Sequence, residues 1–413
     1  MSGQKKGIVS NPNLAPYIKE SVLAYQEAEM LGRFFTTFCL TQGWMKRISF
    51  LPDGIRSFLF RRAFPPLDPQ LLRSNALMEI LRILANRFGG ANLADEIWEW
   101  SETGFDKRVA KNLHPKHLFF HGYEHACLAS LQQAKKMGIV SFYEQPSQHH
   151  AFFTKIVEEQ LLKYPNLKNE AIALLNDEKA ERRNRRRDEE LELADYIICN
   201  SSFTKKTLLS AGISPKKLIV IPYGYPTVRP IPNKDSEIVN FIYAGNLSLR
   251  KGVHILLQAW RQLPADLPAC LTLMGSSQLP ENLTAELPEN VKWIPNLPYE
   301  QAQEKIAQSD VLVLPTLADG FGMVISESMA MGVPVLTTTS SAGPDLIDNY
   351  VDGICIAPDD KNALTEALTW CVANRKKCKI MGQRAQEKAK AYPWSAYRER
   401  LIEEVKARIG NGR

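Results

Sequence analysis

The chain has 413 residues, enough for two domains that each bury their own core. A net charge of +6 is a modest excess, which gives no support to a nucleic-acid partner. Seven scattered Cys, none in a CxxC pair, argue against a structural zinc site and against a disulfide framework.

The polar start Met1-Ser-Gly-Gln-Lys-Lys6, and no apolar run of membrane-spanning length, make the cytoplasm the expected location. Lys6 to Ser10 reads as a first strand and Tyr17 to Leu31 as a helix. Residues 44–64 interleave aromatic and basic side chains, as in Trp44-Met-Lys-Arg and Ile55-Arg-Ser-Phe-Leu-Phe-Arg-Arg. That mixture suits peripheral contact with an anionic bilayer. It equally suits a core-facing helix pair whose Arg side chains reach out to solvent.

Apolar runs at His117 to His121, Ile139 to Tyr143, Asp195 to Cys199 and Leu218 to Ile221 read as further strands. Six of the seven His fall between residues 114 and 150. Glu144, His149 and His150, just past one of these strands, are the candidates for acceptor binding or proton relay. Their spacing makes no metal-ligand pattern. Adjacent His149 and His150 would point in different directions on a helix, so only one is expected to face a cleft. The basic run Glu181-Arg-Arg-Asn-Arg-Arg-Arg-Asp188 is flanked by acids and reads as a solvated helix face.

The second half is more regular. Asn240 to Ala244 reads as a strand, followed by the loop Gly245-Asn-Leu-Ser-Leu-Arg-Lys-Gly252 and a helix opening at His254. Arg250 and Lys251 on that loop suit a diphosphate clamp, the alternative being a solvated basic turn. Strands follow at Cys270 to Gly275 and Val291 to Ile294, and then a helix from Tyr299 to Gln308. Asp310 to Pro315 is a short buried strand, with Pro334 to Thr337 and Gly353 to Ile356 completing the series. Strands alternating with helices predict a doubly wound α/β fold that binds ligands beyond its strand carboxyl ends.

One such end carries Asp319-Gly-Phe-Gly-Met-Val-Ile-Ser-Glu327. Gly320 and Gly322 permit close approach of a ligand, and the N–H groups of Phe321 to Val324 at a helix start suit an anion. Asp319 and Glu327 would repel phosphate, so they suit hydroxyl groups of ribose or a hexose. Phosphate with hydroxyls points to a nucleotide sugar; an ordinary β-loop-α turn is the alternative.

Three linked patterns carry a resemblance: Gly-x-Leu-x-x-x-Lys-Gly from Gly245, Val-x-Trp-Ile-x-x-Leu-Pro from Val291, and Asp-Gly-Phe-Gly-x-x-x-x-Glu-x-Met-Ala-x-Gly-x-Pro-Val from Asp319. Together they resemble the retaining nucleotide-sugar glycosyltransferases of family 4. The resemblance is dense from about residue 185 to 400 and implies the GT-B fold, two Rossmann-like domains facing across a cleft. It implies an acceptor domain over 1–224 and a donor domain over 225–394, with a helix at about 395–410 crossing back to brace the first.

The resemblance also implies roles. Lys251 would bind the donor diphosphate with help from Arg250, and Glu327 the ribose hydroxyls. Gly322, Met323 and Val324 would offer backbone N–H groups, Leu297 would contact the base, and Asp319 would lie near the donor sugar. Gly245, Asn246, Gly320 and Phe321 complete the donor site, and Lys251, Asp319 and Glu327 form its catalytic set.

The chain departs from the family pattern in four places. Asp319 is one methylene shorter than the usual Glu, Asn246 stands where many members carry Arg, Pro295 replaces a frequent glycine, and the loop from Asn11 lacks a glycine pair. The implied reaction is transfer with retention from a nucleotide-diphosphate sugar to a sugar, lipid-linked or small-molecule hydroxyl, in polysaccharide, glycolipid or other glycoconjugate synthesis. No cofactor or metal is implied, and the location would be the cytoplasm, including the inner face of the membrane. A non-catalytic nucleotide-sugar-binding partner and a GT-B-fold epimerase are the alternatives.

Overall fold

The computed structural model describes the chain except for residues 1–4, 46–58, 61, 78, 80, 82–89, 170–171, 173–176, 233–235 and 411–413. Among the described residues, thirteen strands form two sheets. The first contains β1 (Gly7–Ser10), β2 (Leu31–Thr36), β3 (Leu72–Ser74), β4 (Phe119–Tyr123), β5 (Val140–Gln145), β6 (Tyr196–Cys199) and β7 (Leu218–Val220). The second contains β8 (Val239–Ala244), β9 (Ala269–Met274), β10 (Val291–Ile294), β11 (Val311–Leu314), β12 (Val335–Thr338) and β13 (Gly353–Ile356).

The strand orders are β3-β2-β1-β4-β5-β6-β7 and β10-β9-β8-β11-β12-β13, and all the pairings are parallel. Parallel strands need crossovers, and here the helices between them cover both faces. β11 is accordingly apolar and buried at every position. In each sheet the winding reverses once, between β1 and β4 and between β8 and β11. Ligands of doubly wound sheets bind at such switch points. The loops Gly245–Gly252 and Pro315–Gly322 follow the two strands that flank the second one.

The expected helix over 17–31 is shorter, Pro16–Glu27, and Leu31 already belongs to β2. Glu29 breaks the helix in a left-handed conformation with φ 57°, a role for which a sequence usually supplies Gly. The run 181–188 is solvated on one side only: Glu181, Arg182, Arg185 and Asp188 are exposed, as expected, while Arg183 and Arg186 turn inward. Its helix, Glu178–Leu193, packs beside Gly90–Lys111: Arg183 pairs with Asp95 at 2.7 Å, and Arg186 with buried Asp106 at 3.4 Å. Of the 44–64 stretch, 46–58 and 61 lie outside the described residues, and Phe64 is buried. Among the described residues, no helix is long and apolar enough to cross a membrane.

The chain passes between the sheets twice, at adjacent points. Tyr225 N–H donates to Tyr392 O at 3.0 Å. A Cβ on Gly224 would lie 2.5 Å from Trp394 Cα, so only glycine lets the two crossings touch. The final helix, Trp394–Gly410, lies on Pro16–Glu27, with Arg398 bonded to Glu20 and Glu27. Both crossings therefore sit on one side of the cleft, where a hinge would have to be.

Candidate active site

A cavity of about 450 Å³ lies between the carboxyl ends of the two sheets. From the second domain it is lined by Gly245 and Lys251 of one loop, by Leu297, and by Asp319 with the segment Phe321 to Val324 and Glu327. The first domain contributes Tyr17, Pro146 and Asn200, with Tyr223 from the crossing.

Backbone bonds stitch the two site loops together. Arg250 O accepts from Leu317 N at 2.9 Å and from the Thr316 hydroxyl at 3.1 Å. Gly252 has φ 69°, and a Cβ there would fall 2.0 Å from Pro315 O. The clamp loop can therefore lie flat on the other loop only because residue 252 has no side chain.

This stitching brings Lys251 Nζ into an ion pair with Asp319, while Arg250 Nη1 reaches the same carboxylate at 3.3 Å. Burial pushes the Asp319 carboxyl up, but Lys251 and Arg250 outweigh it and hold the group below its ordinary value. Burial also lowers Lys251, against the pull of Asp319. Asp319 is thus committed to the cations of the clamp, rather than open to sugar hydroxyls as the sequence suggests.

Glu327 differs. It lies inside the helix Met323–Ala330, and its Oε2 accepts from Gln303 Nε2 at 3.0 Å. Burial raises Glu327, and the Gln303 bond offsets this only in part. Its free lone pairs can accept two hydroxyls side by side, as a ribose presents them. Gly322 caps that helix in a left-handed conformation, φ 77°, so the N–H groups of Met323 and Val324 point to the cavity end of the helix dipole.

Three expected donor residues stand apart from the cavity lining: Arg250, which reaches it only through Asp319, and Asn246 and Gly320. Asn246 is exposed, and its Oδ1 accepts from Ser276 Oγ at 2.9 Å. Gly320 is buried against the first domain: its O accepts from Thr204 Oγ1 at 3.3 Å and from Ser201 Oγ.

The acceptor-side candidates are rearranged. Glu144 is wholly buried behind Tyr223, whose hydroxyl donates to Oε1 at 2.8 Å, and His121 Nε2 lies 3.3 Å from Oε2. His149 and His150 do not diverge. His149 is the extended N-cap of the helix His150–Lys163, so the helical rule does not apply to it, and both Nε2 atoms face Asp188 Oδ1, at 3.3 and 2.7 Å.

The three groups lie within 4.8 Å of one another, close enough to hold a metal ion, which the spacing alone had not suggested. The hydrogen bonding does not favour one. His149 Nδ1 accepts from Ala151 N at 3.2 Å, which leaves the ring proton on Nε2, the atom a metal would need.

Sequence reasoning missed Tyr17, Tyr223 and Gln303. Tyr17 stacks on Tyr223 with ring centroids 4.9 Å apart, and Tyr223 also meets Phe321 at 4.9 Å, so an aromatic column joins the two domains at the back of the cleft. No local motif marks these residues, because each acts through a partner far away in the chain.

Residues 226–388 match the family model of the glycosyl transferases group 1. An uncharacterized glycosyltransferase of Methanocaldococcus jannaschii is 25% identical over 207 residues, covering 49% of this chain and 56% of that protein. The MMP alpha-(1->4)-mannosyltransferase of Mycolicibacterium hassiacum is 24% identical over 216 residues, 50% of this chain and 52% of that protein. The chain thus spans about half the length of the curated relatives it matches.

Similarity of fold extends further. Anabaena HepE in complex with UDP-glucose superposes with TM-score 0.62 at 15% identity, over 98% of this chain and 100% of that one. Sucrose-phosphate synthase from Thermosynechococcus elongatus gives 0.62 at 18% identity, over 99% and 100%. The fold is that of the GT-B glycosyltransferases, as the sequence led us to expect. The second domain is of the group 1 glycosyl transferase type.

Proposed function

We propose that the protein is a retaining glycosyltransferase of family 4 that moves a hexose from a nucleotide-diphosphate sugar to an acceptor hydroxyl. The observation that carries the proposal is the gathering of Lys251, Asp319, Glu327 and the helix start at Met323 around one interdomain cavity at a topological switch point. Lys251, with Arg250 behind it, meets the diphosphate, Glu327 the ribose and Leu297 the base. As the bond to the departing phosphate breaks, Lys251 and the N–H groups of Met323 and Val324 stabilise the growing charge. The acceptor hydroxyl attacks the same face of the sugar, and its proton passes to that phosphate. Asp319 positions the clamp; its commitment to two cations speaks against a role as nucleophile. Closure of the two domains keeps water from the activated sugar.

Similar proteins that act on glycolipids and polysaccharides support an acceptor of that kind. They include a GDP-mannose-dependent phosphatidylinositol monomannoside mannosyltransferase of Corynebacterium glutamicum and an O-antigen chain mannosyltransferase of Escherichia coli. A lipid-linked acceptor accords with peripheral membrane contact through 44–64 and with work at the inner face of the membrane. No metal enters the proposed reaction.

The test is a thermal-shift panel of UDP-, GDP- and ADP-sugars on the wild type and on Glu327→Ala, followed by assay of donor hydrolysis and transfer. A ligand at a hundred times its dissociation constant stabilises the fold by about 2.7 kcal/mol. One nucleotide series should shift the wild type and not the variant, with turnover of the same donor. Binding without any turnover across acceptors would replace the proposal by a non-catalytic partner.

A further inference from the structure

The first domain has a second concave site, at the opposite end of its sheet from the cleft. It encloses about 740 Å³ and is lined by Lys5 and Lys6 before β1, Arg33 in β2, Arg73 in β3, and Lys116 and His117 before β4. These residues sit at or near the strand amino ends, whereas the interdomain cavity lies beyond the carboxyl ends. The two sites therefore share no residue.

The pocket has an unusual floor. In the parallel register Ile8 pairs with Arg33 and Phe35 with Arg73, so the four side chains share one face of the sheet. Ile8 and Phe35 are buried in a core with Phe105 and Val109 of the helix Gly90–Lys111 and with Leu113 just after it. Beyond that helix the same face turns from apolar to cationic.

Among the described residues, no Asp or Glu lines the pocket. Arg33 Nη1 donates to Gly32 O at 2.8 Å, and Arg73 Nη1 to Leu72 O at 2.8 Å and Gln70 O at 3.2 Å. Those acceptors are neutral carbonyls, and each guanidinium keeps donors to spare. His117 Nδ1 accepts from His114 N at 3.0 Å, which leaves its Nε2 as a donor. Burial lowers His117, and His114 and Arg33 lower it further. Five formal cations around a hollow, with no carboxylate among its lining residues, repel one another unless an anion joins them. A hollow, unlike a flat patch, selects a compact anion, and guanidinium forks match phosphate oxygens two at a time.

We propose that this pocket is a binding site for a compact anion carrying two or more phosphate groups, held by Arg33 and Arg73 with Lys5, Lys6 and Lys116 as countercharges. The site is independent of the proposed donor site and would stand if that reading failed.

The experiment is calorimetric titration of inorganic triphosphate, without magnesium at low salt, into three proteins. Lys251→Ala removes the competing phosphate clamp of the cleft. Lys251→Ala with Arg33→Gln and Arg73→Gln removes the floor, and Lys251→Ala with Lys5→Gln, Lys6→Gln and Lys116→Gln removes the rim without touching the sheet. Circular dichroism checks that each is folded. Triphosphate should bind Lys251→Ala, and each combined variant should bind at least roughly tenfold more weakly, the loss of one charge-assisted contact. Unchanged binding in the two combined variants, or no binding to Lys251→Ala, overturns the proposal. Binding confined to phosphatidylglycerol vesicles and sensitive to Arg33→Gln and Arg73→Gln also overturns it, because the ligand would then be a bilayer surface.

Discussion

Lys251, on the loop after β8, is ion-paired with Asp319, on the loop after β11, so the phosphate clamp and the acidic residue of the site form one unit across the switch point. Each makes the other tolerable: Lys251 and Arg250 keep the buried carboxyl ionised, and Asp319 supports the charge of a lysine that burial would discharge. The side chains are only 14% and 13% exposed, so solvent can replace little of this interaction.

Asp319→Ala should therefore destabilise the protein by about 3 kcal/mol, the lower end for one partner lost from a buried pair, because Arg250, 35% exposed, can turn to solvent when the carboxylate is gone. A bound diphosphate would supply the missing negative charge. Chemical denaturation with and without UDP checks both points. The loss should shrink with UDP present, and a loss below about 1 kcal/mol in its absence would sink the coupled-unit view.

Glu327→Ala should weaken nucleotide binding by about 1.5–3 kcal/mol, the range for hydrogen bonds to a charged group. Glu327→Gln, which keeps an acceptor oxygen and the Gln303 contact within reach, should lose less. Calorimetric titration of the donor nucleotide into the three proteins tests this ordering. Equal losses for Ala and Gln would mean that charge, not hydroxyl recognition, is what Glu327 contributes.

The second domain was the more legible half, for physical reasons. Its strands are short apolar runs, β8 to β11 each running directly into Gly or Pro, and its phosphate-facing parts are consecutive in sequence, so Gly245–Gly252 and Asp319–Glu327 can be read without a partner. β2 and β3 escaped notice because Gly32, Arg33 and Arg73 interrupt the apolar pattern, which is the cost of placing a cationic hollow on a sheet face. The pairing of Asp319 with Lys251 spans 68 residues and follows only from the parallel order β8-β11. His149 and His150 misled because the boundary of a helix decides where a side chain points, and boundaries are the least readable feature of a chain.

Glu190 gives a pH prediction. It is fully buried, accepts from His125 N at 2.9 Å and Cys127 N at 3.1 Å, and is raised by burial to about 7. A carboxyl raised in the folded state contributes stability that is present below its unfolded value and lost as pH rises through about 7. The loss between pH 5 and 8 should be about 3 kcal/mol from this group, the size of a shift of that extent. Asp319, held low, acts in the other direction, its contribution fading only in acid. His125 and His254, each lowered by burial to about 4, act against it over the same interval, so the test compares proteins. Between pH 5 and 8 Glu190→Gln should lose less stability, or gain more, than the wild type, by about 3 kcal/mol, and an unchanged pH slope in that variant would refute the assignment.

Gly320 tests whether the cleft must close as it is closed here. A Cβ at 320 would lie 2.3 Å from Pro146 O and 2.8 Å from Ser147 Cα, both on the first domain. Pro146 O is itself fixed by Asn200 Nδ2 at 2.7 Å, so the loop cannot yield without breaking that bond. Gly320→Ala must then push the domains apart at the mouth of the cavity. The groups assigned to the nucleotide all belong to the second domain, and nucleotide affinity should stay within about threefold, below the roughly 1.4 kcal/mol of a tenfold change. Transfer depends on both domains, and a misplacement of about 1 Å can cost ~10²-fold in rate. We expect the variant to bind donor normally, to transfer sugar about a hundredfold more slowly, and to lose a larger share of donor to water. Nucleotide titration beside an assay that counts transfer and hydrolysis separately decides the matter. Weakened nucleotide binding would show instead that Gly320 serves the donor site from within the second domain.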